Sequence, residues 1–119
     1  MAVTKKIEID GNQVEFKASA AIPRIYRNRF GRDVYQDLAT LSDAVGANDQ
    51  EASNLDNFSL EMFEDLAFVM WSAAHPEEKY DSPDEWLDQF NTFSIYQILP
   101  ELIDLWGMNI KTTVSERKN

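Results

Sequence analysis

Residues 6–10 and 14–17 alternate between apolar and polar side chains, with the period of two that is typical of a half-buried β-strand. The apolar positions of this alternation are Ile7, Ile9, Val14 and Phe16. Gly11-Asn12 lies between the two halves and suits a two-residue turn, so the pattern predicts a β-hairpin over residues 4–17. Because an isolated hairpin is only marginally stable, we expect its apolar face to pack against another part of the chain.

From residue 20 onward, the apolar residues recur every three or four positions, which is the period of an amphipathic helix. This pattern predicts about five helices, over residues 20–30, 33–45, 58–74, 83–91 and 94–106. Gly31 favours two separate helices on either side of it, although their apolar stripes also join in register and would allow one continuous helix. The segment 58–74 is apolar on most sides, and we expect it to be the central helix.

Local signals predict several helix ends. Ser19 is positioned to cap the first helix. Ser82 and Glu85 form a capping box, with Pro83 at the first helical position, where its missing N–H costs least. Pro100 is expected to kink the last helix, because its ring clashes with a carbonyl of the preceding turn.

Together these elements predict a mainly helical α+β domain, with an N-terminal β-hairpin followed by about five packed helices. The globular part is expected to span residues 1–107, and residues 108–119 carry no periodicity and are expected to form a flexible tail. The chain has no strand–helix–strand alternation, which argues against a doubly wound sheet.

The composition narrows the classes of function. The net charge of −10 argues against nucleic acid or an anionic membrane as a partner, because phosphate groups are bound by Lys and Arg. The absence of cysteine excludes disulfides, thiol nucleophiles and thiolate zinc sites. No apolar run approaches the length of a membrane span, and the first residues lack a signal-peptide core. We therefore expect a soluble cytoplasmic protein.

The charge is distributed unevenly along the chain. Residues 1–36 contain seven basic and four acidic side chains. Residues 37–107 contain one basic and sixteen acidic side chains, and residues 108–119 contain three basic and one acidic side chain. Internal charge pairing is one explanation, and head-to-tail association of a basic end with an acidic body is the other. The candidate residues for self-association are Arg24, Arg27, Arg29 and Arg32.

Catalytic and metal-binding patterns are weak. His75 is the only histidine, and its position at a predicted helix end suits an ordinary terminator. Asp84 and Asp88 could share one helical face, but acidic residues in a first turn are expected to complement the helix dipole. No phosphate-binding glycine loop or nucleophile motif is present. We therefore expect a non-enzymatic protein with no cofactor and no metal.

Aromatic residues make up 12% of the chain, which is enough to fill a core and also to supply anchors at an interface. Filling the core is the simpler explanation for most of them. The candidates for contact with a partner are Trp86, Phe90, Phe93, Tyr96 and Trp106.

Three stretches carry a resemblance to a known family. Residues 26–33, Tyr-Arg-Asn-Arg-Phe-Gly-Arg-Asp, resemble the Tyr-Arg-x-x-Phe-Gly-x-Asp stretch of tail assembly chaperones from long-tailed, siphovirus-type bacteriophages and prophages of Gram-positive bacteria. Residues 83–90 and the run over residues 93–107 are similar to later parts of the same family, and the N-terminal hairpin also fits. The resemblance covers nearly the whole chain and depends on the order and spacing of these stretches.

The resemblance implies a function in virion assembly. Such proteins bind the long, hydrophobic, helical tape-measure protein and keep it soluble until tail-tube subunits polymerise around it. They act in the cytoplasm of the bacterial host and are absent from the mature virion. The implied partners are the tape-measure protein, a frameshifted longer form of the chain itself, the tail-tube protein and further copies in a homo-oligomer.

A different class of function is a small acidic binding module, either an inhibitor or a DNA mimic whose carboxylates imitate phosphates. A mimic is expected to carry its acidic residues on one exposed face. Here many of them lie at helix starts and between core positions, which counts against this alternative.

Overall fold

The computed structural model describes residues 3–48, 57–91 and 94–106. Strand β1 (Val3–Ile9) pairs antiparallel with strand β2 (Asn12–Ala18). The turn residues are Asp10 and Gly11, with φ angles of 57° and 82°, so the predicted turn at Gly11-Asn12 is wrong by one position. A tight hairpin turn needs positive φ at both central residues, and Asp followed by Gly meets this need.

Within these described ranges, five α-helices follow the hairpin, which confirms the predicted α+β fold class. The first four are α1 (Ile22–Phe30), α2 (Val34–Asn48), α3 (Asn57–Ala74) and α4 (Pro83–Leu87). A 3₁₀ turn (Ile95–Ile98) then leads into α5, over residues 99–106. Helix α2 ends three residues later than the helix predicted over residues 33–45.

Gly31 separates α1 from α2, as the sequence predicts. It adopts a φ of 71°, and its N–H donates to the carbonyl of Arg27 at 2.8 Å. Asp33 then starts α2, because its Oδ1 accepts the backbone N–H of Tyr35 at 2.8 Å. The start of α1 differs from the prediction: Ser19 contributes only its backbone carbonyl, and α1 has no side-chain cap.

The capping box of α4 forms as predicted, since Ser82 Oγ accepts the N–H of Glu85 at 3.3 Å. However, α4 ends at Leu87, four residues before the predicted end. Asp10 accounts for part of this difference, because its carboxylate accepts the backbone N–H of Asn91 at 3.1 Å and its side-chain amide at 2.8 Å. A continuing helix would direct that backbone N–H to the carbonyl of Leu87. This exposed contact also lowers the pKa of Asp10.

The last helix changes its geometry where the sequence predicts a kink. The 3₁₀ turn ends at Ile98, and α5 begins immediately before Pro100. Pro100 thus lies in the first turn of α5, where an α-helix has no internal acceptor for the missing N–H. The predicted flexible tail, residues 108–119, lies outside the described residues.

Helix α3 is the centre of the fold, as its apolar pattern predicts. Residues 65–71 of this helix are all buried, and α3 packs against β2, α1, α2 and α4. The hairpin contributes its apolar face to the same core through Ile7, Ile9, Phe16 and Ala18. Within the described ranges, no helix combines the length and apolarity needed to cross a membrane.

Candidate functional site

Four polar side chains from three helices and one connection form a network that we call the arginine network. Arg32, between α1 and α2, donates from Nη2 to Asp65 Oδ2 of α3 at 2.5 Å and from Nε to Asp37 Oδ2 of α2 at 2.9 Å. The hydroxyl of Tyr26 in α1 donates to the same Asp37 oxygen at 2.5 Å and accepts from Arg32 Nη2 at 3.0 Å. One guanidinium therefore joins two buried carboxylates and a buried phenol.

Burial and hydrogen bonding shape the ionisation of this network. Burial raises the pKa of Asp65, and the hydrogen bond from Arg32 only partly opposes this effect. Burial also raises the pKa of Tyr26, assisted by its hydrogen bond to Asp37. For Arg32, burial disfavours the charged form, but hydrogen bonds to Asp65, Tyr26 and Asp37 outweigh it and raise the pKa. Arg32 is therefore charged and Tyr26 neutral at pH 7.

This placement changes the role expected for Arg32. Its side chain is only 21% exposed, and its polar atoms face its own chain. The sequence proposed it as a self-association residue, but the structure gives it an internal ion-pair role. The sequence does not show which residues Arg32 contacts, because Tyr26 and Asp65 are far apart along the chain.

The other three candidate arginines lie on the exposed side of α1. Arg24 and Arg27 make no ion pair or hydrogen bond with any residue in the part of the chain that the structure describes. Arg29 is more constrained, because its Nη2 donates to the carbonyl of Asp81 at 2.7 Å and its guanidinium lies 4.9 Å from the ring centre of Phe68. Arg24 and Arg27 are thus the cations of this helix face that have no partner among the described residues.

Two candidate aromatic residues belong to the core. Trp86 is completely buried, and we call it and its ring neighbours the aromatic cluster; these neighbours are Phe16, Phe68, Trp71 and Phe90. Its Nε1 is a buried donor without an acceptor among the described residues. Trp106 is 4% exposed, and its Nε1 donates to Met70 Sδ at 3.1 Å. Neither tryptophan offers a surface to a partner in this conformation.

The remaining aromatic candidates lie closer to solvent. Phe90 and Tyr96 are half-buried at the edge of the core, and Phe93 lies outside the described residues. The hydroxyl of Tyr96 donates to Glu64 Oε2 at 2.7 Å. Burial and this carboxylate raise the pKa of Tyr96 to about 12. Burial also raises the pKa of Glu64 itself, although the hydrogen bond from Tyr96 opposes the increase.

The exposed large apolar side chains of the described region were not among the sequence candidates. They are Tyr35 on α2, which is 52% exposed, and Ile25 on α1, which is 43% exposed. Tyr35 also touches Trp106, with 6.2 Å between ring centres. Each lies next to a buried residue of its helix, and neighbouring helical residues point about 100° apart, so both lie at the edge of the buried stripe.

An open pocket of about 340 Å³ lies where the end of α3 meets the α3–α4 connection. Its wall includes Arg29, Phe68, Ser72, Lys79 and Tyr80. No sequence pattern predicted this pocket, because it is formed by a helix end and a connection without periodicity.

His75 forms one side of this pocket and does more than terminate α3. Its ring stacks on Trp71 with 4.4 Å between centres. Its Nε2 lies 3.1 Å from the carbonyl oxygen of Glu15 in β2, and its Nδ1 lies 3.4 Å from a carboxylate oxygen of Glu78. His75 thus joins the hairpin to the connection that follows α3.

Over the described ranges, no group of three or more metal-binding side chains could hold a metal ion. Searches for related proteins add no identification: no family model, no curated protein and no solved structure matches the chain significantly.

Proposed function

We propose that this protein is a tail assembly chaperone of a long-tailed bacteriophage or prophage, and that it holds the tape-measure protein in solution during tail morphogenesis. The observation that carries the proposal is the resemblance of residues 26–33, 83–90 and 93–107 to that family, in their order and spacing. The proposal places the protein in the cytoplasm of the bacterial host and outside the mature virion.

The structural roles of these stretches support the proposal at the level of the fold. Tyr26 and Arg32 belong to the arginine network, Gly31 ends α1, and Trp86 is the centre of the aromatic cluster. The first two stretches thus supply residues that determine helix ends and core packing. A resemblance in such residues bears on a shared fold, whereas a resemblance in catalytic residues would bear on a shared reaction.

The distribution of apolar surface suggests where a hydrophobic client would bind. Trp86 and Trp106 are buried, so we assign first contact to the exposed Tyr35 and Ile25, with the half-buried Phe90 and Tyr96 as further contacts. Aromatic and aliphatic side chains at the surface can cover apolar helices of a client. The net charge of −10 would keep the resulting complex soluble.

Self-association is a second part of the proposal. The unpaired Arg24 and Arg27 on α1 complement the acidic surface that Glu61, Glu64 and Asp84 contribute. Copies joined in this way would form a homo-oligomer that weakens as salt screens exposed charges. Light scattering at low and high salt tests this expectation, and a monomer at every salt and protein concentration would contradict it.

The frameshifted longer form and the tail-tube protein remain proposed partners. The position of the gene provides an independent test of the whole assignment. We expect it between a tail-tube gene and a very long tape-measure gene, with a slippery sequence near the last codons if the longer form is made.

The direct experiment is co-expression with a fragment of the tape-measure protein, with the soluble fraction of that fragment as the readout. We expect the wild-type chain to solubilise the fragment, Tyr35→Ser to reduce the soluble fraction, and Gln36→Ser to leave it unchanged. Gln36 is the matched control, because it is an exposed neighbour on the same helix. Circular dichroism must show that both variants keep their folded structure.

A fragment that stays insoluble with the wild-type chain would refute the chaperone proposal. Capture of a DNA-binding enzyme in place of the fragment would instead favour the acidic inhibitor or DNA mimic.

A further inference from the structure

The pocket at the end of α3 collects basic side chains from two distant parts of the chain. Lys79 is the only basic residue between positions 37 and 107, where sixteen acidic residues occur. The fold places it on the same pocket wall as Arg29, from the basic N-terminal part of the chain. The single lysine of the acidic region 37–107 thus lies on the same pocket wall as an arginine.

The arginine of this pocket is held in a fixed orientation. Its guanidinium lies over the ring of Phe68 and donates one hydrogen bond to the carbonyl of Asp81. These two contacts leave further N–H groups of Arg29 without a described partner. A planar guanidinium that is already oriented loses little freedom when it binds a carboxylate.

Three more hydrogen-bond donors line the pocket without a described partner: the ammonium of Lys79 and the hydroxyls of Ser72 and Tyr80. The ring of Tyr80 is half-buried and lies against Trp71, with 5.4 Å between ring centres. The pocket therefore offers several donors and one fixed aromatic surface.

The acceptors of the pocket are fewer. The lining carries two carboxylates, from Glu78 and Asp81, and that of Glu78 lies 3.4 Å from His75 Nδ1. The two acidic and two basic side chains of the lining cancel in formal charge, in a chain whose net charge is −10. A ligand that fits must supply acceptors for the free donors and carry little charge beyond what Arg29 and Lys79 can balance.

We propose that this pocket binds the carboxylate of an acidic side chain from a partner protein, with an adjacent apolar side chain packed on the ring of Tyr80. A single carboxylate can accept hydrogen bonds from both Arg29 and Lys79. Its volume of about 340 Å³ and its opening to solvent admit a side chain from another protein. Inorganic phosphate has a higher charge, which the carboxylate of Asp81 disfavours, and it gains nothing from the aromatic surface.

This inference does not depend on the proposed chaperone activity. Client solubility tests that activity through Tyr35 on α2, whereas the pocket is tested by peptide binding through Lys79 in the connection between α3 and α4. One proposal can therefore fail while the other stands.

The test is an NMR titration of the full chain with two capped pentapeptides, acetyl-Ala-Ala-Phe-Glu-Ala-amide and its counterpart with Gln in place of Glu. A salt concentration of about 0.15 M limits the effect of distant charges, because the screening length is then about 8 Å. We expect the acidic peptide to shift the amide signals of Ser72, Lys79 and Tyr80, and the Gln peptide to leave them unchanged.

The variant Lys79→Gln is expected to weaken binding of the acidic peptide by about threefold to fivefold, as for loss of one partly exposed ion pair. Lys6→Gln is the matched control, since Lys6 is an exposed lysine on β1 outside the pocket, and we expect no change in affinity. Tyr80→Phe keeps the ring and removes only the hydroxyl, so a smaller loss of affinity is expected.

Four results would overturn the inference. The first is equal binding of both peptides, and the second is equal weakening of binding by Lys79→Gln and Lys6→Gln. The third is that the peptide shifts only the signals of Arg24 and Arg27. The fourth is that inorganic phosphate shifts the pocket signals at the same affinity as the peptide. The last result would identify a simple anion site.

Discussion

The arginine network and the aromatic cluster occupy neighbouring parts of α3 and stabilise it by different means. The network connects Asp65 to Arg32 through charged hydrogen bonds with defined donors and acceptors. The aromatic cluster surrounds Trp86 with rings at centre distances of 5.1 to 6.4 Å and leaves its indole N–H without a described acceptor. One region depends on satisfied polar groups, and the other depends on buried apolar area.

The difference predicts how each region responds to substitution. A buried ionic network is sensitive to the loss of any member, because the remaining charges are then left without partners. A cluster of aromatic rings is sensitive to lost volume and is tolerant of lost polarity.

The largest effect is expected from Arg32→Met. The substitution keeps much of the side-chain volume but leaves Asp37 and Asp65 buried without their cation. We expect a loss of roughly 3–5 kcal/mol in the free energy of unfolding, measured by urea denaturation.

Arg27→Met is the matched control for this experiment, because Arg27 is exposed and without a described partner. Its effect is expected to stay within about 0.5 kcal/mol. Equal effects of the two substitutions would show that the network does not hold α1, α2 and α3 together.

A smaller effect separates the two buried tryptophans. Trp86→Phe and Trp106→Phe remove similar volumes, but only Trp106 loses a hydrogen bond, to Met70 Sδ. In contrast, Trp86→Phe removes an unsatisfied buried donor, so it should cost about 1 kcal/mol less than Trp106→Phe in the free energy of unfolding.

Thermal and urea unfolding of both variants measure this difference. If Trp86→Phe costs as much as Trp106→Phe or more, the indole N–H of Trp86 has a favourable partner, such as the face of a neighbouring ring.

The smallest effect concerns Glu64, which lies in α3 next to the network. Its pKa is raised in the folded protein by burial and by the nearby charges of Asp65, Glu61 and Asp84. The ionised form is therefore disfavoured by folding. The stability gained from protonation is present below the unfolded pKa and is lost as pH rises through the folded pKa.

Accordingly, Glu64→Gln is expected to stabilise the protein at pH 7 by less than about 1 kcal/mol, since the group is partly exposed. The amide oxygen can still accept from Tyr96, and the gain should disappear as the pH falls toward the pKa of an ordinary glutamate. Glu61→Gln is the control for loss of an exposed negative charge on the same helix. A gain of equal size at acidic pH would contradict the electrostatic explanation.

Much of the fold could be predicted from local sequence signals. The alternation at Ile7 and Phe16, the break at Gly31 and the cap at Ser82 each act over a few residues, and the structure confirms all three. One of the errors has a local cause, and the other involves a contact between residues far apart along the chain. The turn is formed by Asp10 and Gly11, one position before the predicted pair, whereas the early end of α4 accompanies a hydrogen bond from Asn91 to the distant Asp10.

The candidate sites were harder to predict, because helical spacing identifies a buried side without saying what packs against it. Trp86 and Tyr35 illustrate this limit: the first was proposed as an anchor and is buried, and the second was passed over and is exposed. Arg24, Arg27, Arg29 and Arg32 look alike in the sequence, but only Arg32 lies within reach of two buried carboxylates.

The sequence by itself determined the hairpin, the number of helices and the order of basic and acidic segments, because periodicity, capping and charge are properties of neighbouring residues. Only the tertiary structure decided that Arg32 joins three helices and that Lys79 lies on one pocket wall with Arg29. Arg32 and Asp65, like Arg29 and Lys79, are distant along the chain, and their relative positions depend on how the helices pack around α3.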